Sequence, residues 1–154
     1  SKSRIDRYTI LSQKSLDILT EYWFAYNKPM EALFIQKMIR ITKPGGVICT
    51  IIDEGILNTS SMVEIRKYIL KTCHIEAVIR LPYVTFEPNY ARVSTSILLL
   101  KKKFDEVDKQ EYPVFMYDLK EIGYAGNGKP CGRSSDEITE ELVEKYKEFK
   151  NEYQ

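Results

Sequence analysis

Cysteine and histidine are scarce in this sequence. Cys49, Cys73 and Cys131 lie far apart without a CxxC pair, and His74 is the one histidine. An odd number of separated thiols gives no disulfide framework, and one imidazole among them gives no zinc set, so no metal is expected. The thiols read as reduced, as in a cytoplasmic protein. Long apolar runs are missing as well: nothing approaches the ~20 residues of a membrane span, and the polar start "SKSRIDRY" is no signal peptide. No membrane association is expected, and a start without methionine suits a processed chain or an excised fragment. Charge of one sign is lacking too. Twenty-three basic residues against 22 acidic ones leave a net charge of +1, which excludes a polybasic coat or an acidic tail, so any nucleic-acid contact has to be local. Neither a Walker motif nor a G-x-S-x-G elbow occurs. Gly126, Gly128 and Gly132 in "GYAGNGKPCG" (123–132) have the wrong spacing for a dinucleotide loop and read as a turn. His74 falls at a helix-to-strand junction and suits a solvent-facing or helix-capping place.

What is present is enough apolar sequence, 44%, for one core, and 1–154 is read as one domain. Residues 1–28 mix charges with scattered apolars and read as an irregular, partly helical lead-in. From 30 to 41, Met30, Phe34, Met38 and Ile41, flanked by Ile35 and Ile39, recur at three- and four-residue steps and predict a helix with that stripe buried. Pro44, Gly45 and Gly46 stop it. "VICTII" (47–52) is short, continuous and β-branched, as a central strand covered on both faces is. After a turn at Asp53, Glu54 and Gly55, the Ser61/Glu64 spacing predicts a capping box and a helix from about 62 to 72. "IEAVIRL" (75–81) reads as the next strand, which makes a βαβ unit with parallel pairing. The strand at 93–101 follows a loop too short for a helical crossover, so it is predicted antiparallel to its predecessor, breaking the alternation at one edge. "YPVFMYDL" (112–119) is a further strand, and Ser134 with Glu137 caps a last, mostly exposed helix of about 136–150.

Three places could carry chemistry. Asp53 and Glu54 lie just beyond a parallel strand, where open α/β sheets bind ligands, although turns favour such residues anyway. Lys101, Lys102 and Lys103 end an apolar strand, either as contacts for nucleic-acid phosphates or as a solvated, aggregation-resistant end. In "LPYVTFEPNYARVSTSILLLKKK" (81–103), Phe86 stands between Pro82 and Pro88, which deny backbone donors and pre-shape the loop. Its ring is either a buried plug or a face offered to a flat ligand.

"EALFIQKMIRITKPGGVICTIIDEGILNTSSMVEIRKYIL" (31–70), "EAVIRLPYVTFEPNYARVSTSILLLKKK" (76–103) and "VFMYDLKEIGYAGNGKP" (114–130) resemble, in order and spacing, the modification subunit of type I restriction systems. That family comprises S-adenosylmethionine-dependent DNA methyltransferases acting on N6 of adenine. The resemblance implies an α/β fold: the carboxyl-terminal half of a Rossmann-like methyltransferase domain, with helices packed on parallel strands and an antiparallel edge strand. It implies that Phe86, within Thr85, Phe86, Glu87 and Pro88, stacks on the target adenine once flipped from the duplex, a contact worth ~1–3 kcal/mol. The family's glycine-rich donor loop and its Asn-Pro-Pro-Phe motif have no match in this sequence, so no catalytic residue is assigned, and S-adenosylmethionine is expected to bind this chain poorly. One departure stands out: the family's Leu-Pro-Asp-Gly turn is Ile52, Asp53, Glu54 and Gly55 here. The implied partners are DNA, a specificity subunit and a motor-nuclease subunit. An isolated half-sheet would also expose the edge of "VICTII" and self-associate. Two other readings stay open: a non-catalytic subunit- or DNA-interaction module, and a methyltransferase acting on RNA or a small molecule.

Overall fold

The short β-branched runs and the helices between them become a four-stranded mixed sheet in the computed structural model, which describes residues 29–105, 111 and 113–153. The lead-in read at 1–28 and Tyr112, the start of the last strand as read, lie outside the described residues. Helix α1, Met30–Ile41, matches its predicted bounds. The buried face matches in part: Ile35 and Ile39 go inward with Ala32 and Leu33, and Met38 packs against the core, while Met30 and Phe34 are each 49% exposed and Ile41 is 71% exposed. This helix is apolar around much of its circumference, so spacing alone does not rank its faces. It stops at Thr42, whose backbone N–H and Oγ1 both donate to the Met38 carbonyl. Gly45 then takes a positive φ of 75° and donates its N–H to the Lys102 carbonyl, which starts the first ladder.

Strand β1 is Val47–Asp53, followed by a short helix α2, Glu54–Asn58, where sequence suggested only a turn. A 3-10 turn, Ser60–Met62, leads into α3, Val63–Thr72. The capping box read at Ser61 and Glu64 does not form: no side chain caps α3, and Glu64 pairs with Lys67 at 3.0 Å instead. Strand β2 is Cys73–Arg80, β3 is Thr95–Lys102, β4 is Phe115–Asp118, and helix α4 is Ser135–Tyr153. At α4 the box does form, with Glu137 N–H donating to Ser134 Oγ (3.2 Å) and Ser134 N–H donating to Glu137 Oε2 (3.0 Å). His74 lies inside β2 and is buried, not solvent-facing.

The strand order is β1-β3-β2-β4, with β3 antiparallel to both neighbours and β2 parallel to β4. β3 is therefore antiparallel to its predecessor as read, yet it sits between β1 and β2 instead of at an edge. β1 and β2 run the same way without pairing, and β1 becomes an edge strand of the described sheet. Its burial alternates, with Ile48 and Ile52 inside while Val47 and Ile51 are 63% and 52% exposed, which corrects the reading of a strand covered on both faces.

The core gathers Ile35 and Ile39 of α1, Ile48 and Ile52 of β1, Ile56 of α2, Ile65 and Ile69 of α3, and Leu98 and Leu100 of β3. Each such side chain contributes about 1.5–3 kcal/mol by leaving water. A second cluster seats α4: the Phe115 ring meets Tyr146 edge-on at 5.3 Å and Phe149 at 5.3 Å. Buried Glu76 there accepts from Lys150 (3.1 Å) and from the Tyr146 hydroxyl (3.3 Å). Among the described residues no helix is long and apolar enough to cross a membrane.

Candidate functional site

The carboxyl ends of β1 and β2 and the start of β3 meet at one end of the sheet, where Asp53 stands opposite Thr95 and Arg80 opposite Ser96. The segment from Pro82 to Ser94 crosses this end. Where the two prolines suggested a pre-shaped loop, Tyr83–Asn89 forms a 3-10 helix that carries Pro88 inside it. A 3-10 turn tolerates this proline because its hydrogen bonds close over three residues and the missing N–H costs one link only. Pro82 (ψ 146°) delivers the chain into the turn, and its carbonyl accepts from both the Thr85 N–H (3.0 Å) and Thr85 Oγ1 (2.6 Å). The turn closes at Tyr90, a non-glycine residue at φ 60°, where Tyr90 N–H reaches the Glu87 carbonyl (2.9 Å) and Ala91 N–H the Phe86 carbonyl (3.1 Å). Glu87 pairs with Arg92 at 3.2 Å across the same bend. Phe86 is half-buried, outside the main core, neither a sealed plug nor a freely extended ring.

Asp53 and Glu54 reach the same end of the sheet, both engaged within the chain. Asp53 Oδ1 accepts from Gly55 N–H (2.6 Å) and caps α2, and Glu54 pairs with Arg80 at 2.7 Å while its N–H donates to the Ser94 carbonyl. Lys101, Lys102 and Lys103 lie at the far end of β3. Lys102 Nζ donates to the Thr42 carbonyl (2.7 Å) and buried Lys103 Nζ to the Leu70 carbonyl (2.9 Å), so two of the three ammonium groups satisfy helix-end carbonyls and only Lys101 projects outward.

Sequence reading missed two features of this end. One is aromatic: Tyr90 is 99% exposed beside Phe86, and its left-handed backbone is unusual for an aromatic residue. The neighbouring Asn89 would have been the expected residue for that conformation. The other is the glycine-rich turn at 123–132, read as a plain connection but lying against the Phe86 loop, with the Tyr124 hydroxyl donating to the Thr85 carbonyl (2.9 Å). Beside the loop, Arg80, Pro82, Tyr83, Ser94, Asp118 and Lys120 line a polar recess of about 310 Å³. The Lys120 ammonium bonded to Asp118 holds that carboxyl below its ordinary range.

A mixed sheet with an antiparallel strand inserted between two codirectional ones, faced by helices and bearing its loops at the strands' carboxyl ends, is the fold of S-adenosylmethionine-dependent methyltransferases. A Listeria monocytogenes protein solved as a putative class I member of that group superposes with a TM-score of 0.55 at 26% identity, over 75% of this chain and 31% of that one. The EcoKI M protein, of a type I restriction enzyme, shares the fold at a TM-score of 0.55 and 21% identity, over 71% of this chain and 23% of that one. Among curated proteins, the defense against restriction protein B of Escherichia phage P1 is 28% identical over 79 residues, 51% of this chain and 4% of that protein. This chain thus spans less than a third of each of these relatives. It belongs to the N-6 DNA methylase family, whose model matches residues 12–154.

Proposed function

We propose that this chain forms the target-base side of a type I, S-adenosylmethionine-dependent adenine-N6 DNA methyltransferase, and that it acts as part of a longer protein. The observation that carries this reading is Phe86: an aromatic ring on a hydrogen-bonded turn, half-exposed, at the carboxyl end of β2 in a chain of the N-6 DNA methylase family. An adenine stacked in a duplex is out of reach of a methyl donor, so it has to leave the helix. A ring held ready in a pre-shaped loop offsets part of the unstacking cost. S-adenosylmethionine supplies the methyl group in such a reaction. Asp53 caps α2 and Glu54 pairs with Arg80, so neither carboxylate is assigned a contact with the donor. Because the family's glycine-rich donor loop and Asn-Pro-Pro-Phe motif have no match in this sequence, the chain alone is expected to transfer no methyl group, and we assign it base grip and sheet scaffold. DNA, a specificity subunit and a motor-nuclease subunit are the partners this reading requires.

The test is Phe86→Ala in the full-length methyltransferase that carries this segment, assayed with labelled donor on duplex DNA and on RNA. Loss of one stacking face lowers the methylation rate on DNA by about tenfold or more. An unchanged rate together with unchanged DNA affinity sinks the stacking role, and preference for RNA replaces the substrate.

A further inference from the structure

We propose that the glycine-rich turn at 123–132 is a brace for the Phe86 loop and that Tyr124 is its positioning residue; this rests on the base-stacking reading of Phe86 and extends it to a second segment of the chain. A 3-10 helix of seven residues is long for its type and holds itself weakly, because its hydrogen bonds are strained and a proline interrupts them. The loop therefore needs outside support if its ring is to be in place before a base arrives.

The turn meets the loop on both sides of Phe86, by one hydrogen bond and by close approach at two glycines. The Tyr124 hydroxyl donates to the carbonyl of Thr85, the residue before Phe86, at 2.9 Å. At Gly126 the Glu87 side chain, on the residue after Phe86, lies so close over the turn that a Cβ there would collide with its carboxylate. At Gly128, φ is +77° and a Cβ would touch the Pro88 ring at 3.6 Å. The turn thus bonds the residue before Phe86 and lies against the two that follow it, leaving the ring half-exposed.

The brace is itself rigid. Ala125 N–H bonds the Lys129 carbonyl (2.9 Å), Gly128 N–H the Ala125 carbonyl (2.8 Å) and Cys131 N–H the Gly123 carbonyl (3.0 Å), and Tyr124 bridges Pro130. Its base is tied to α4, through Ser135 Oγ on the Ile122 carbonyl (2.7 Å) and Arg133 on Glu121 (2.7 Å). Ordering the loop in advance removes an entropic cost that would otherwise fall on base binding.

Tyr124→Phe deletes the hydroxyl alone. Hydrogen exchange in the 154-residue chain reads the loop directly through the Tyr90 and Ala91 amides. Loss of one hydrogen bond is expected to speed their exchange roughly three- to tenfold. In the full-length methyltransferase, 2-aminopurine at the target position reports the flipped base. Its signal and kcat fall by a similar factor, while affinity for duplex DNA stays near wild type. Gly126→Ala, which pushes the Glu87 side chain off the turn, acts in the same direction. Ile39→Val trims the core under α1, among residues that include neither the loop nor the turn, and leaves the flipped-base signal at the wild-type level.

Exchange in Tyr124→Phe equal to wild type overturns the brace. Faster exchange with an unchanged flipped-base signal overturns its role in positioning. A signal lost equally in Ile39→Val reduces Tyr124 to general stability and overturns the proposal too. Phe86→Ala with unchanged methylation removes the stacking reading instead, and the exchange result then still decides whether the turn braces the loop.

Discussion

Glu141, on the exposed side of α4, shares one carboxylate between Lys145 and Arg133, and Arg133 reaches on to Glu121. The hydrogen bond from Lys145, then that from Arg133, holds its pKa down at about 2, against an ordinary value of 4.5. A folded-state pKa below the unfolded one stabilises the fold fully above about pH 4.5, and that contribution is lost as the pH falls toward 2. Glu141→Gln should therefore unfold at a lower temperature than wild type at neutral pH, with the two melting curves converging as the pH is taken down through this window. Thermal unfolding followed by circular dichroism across that range checks it, and a gap that persists unchanged at low pH would assign the effect to packing. The site residues themselves were legible to unequal degrees. Phe86 stood out because two prolines bracket it in sequence. Tyr124 did not, because its partner is 39 residues away and no local pattern marks such a bond.

At the scale of elements, bounds were legible and faces were not. α1 was read to the residue, but of the stripe read as buried Met30, Phe34 and Ile41 face out, and the flanking Ile35 and Ile39 pack against β1 and α3. Ile39→Ala is therefore expected to cost about 2–5 kcal/mol of stability, since Ile39 is 1% exposed. Ile41→Ala, at the stripe that was read as buried, should stay within about 0.5 kcal/mol of wild type. Urea unfolding of both variants distinguishes the two faces, and equal losses would restore the original stripe. The two capping boxes make the same point. Ser134 with Glu137 and Ser61 with Glu64 have identical spacing, yet only the first closes, because a 3-10 turn precedes α3 and Lys67 engages Glu64. Strand pairing was the least legible level. The loop after β2 is short enough to dictate an antiparallel return, but nothing in it says on which side of β2 the returning strand lies. Here β3 enters between β2 and β1, the place left open when α2 and α3 carry the chain over.

For the whole molecule, the insertion of β3 decides what the outside looks like. β1 is left with one paired side among the described residues, seven residues long, without an interior proline, and with Val47, Cys49 and Ile51 exposed. Beside it, Phe34, Met38, Ile51 and Ile56 line a cavity of about 320 Å³. Natural edges are usually blunted by charge, proline or a bulge, and this one shows none of these along Val47–Ile52. A net charge of +1 adds little repulsion between copies. The purified chain is expected to self-associate through β1, with a mass that rises with concentration in sedimentation or light scattering. Ile51→Lys places a charge on the exposed side of the strand, opposite no core residue, and should shift the chain to monomer while leaving its circular dichroism unchanged. A wild-type chain that stays monomeric at every concentration would mean that the edge is covered, and an Ile51→Lys variant that associates as before would move the contact elsewhere on the surface.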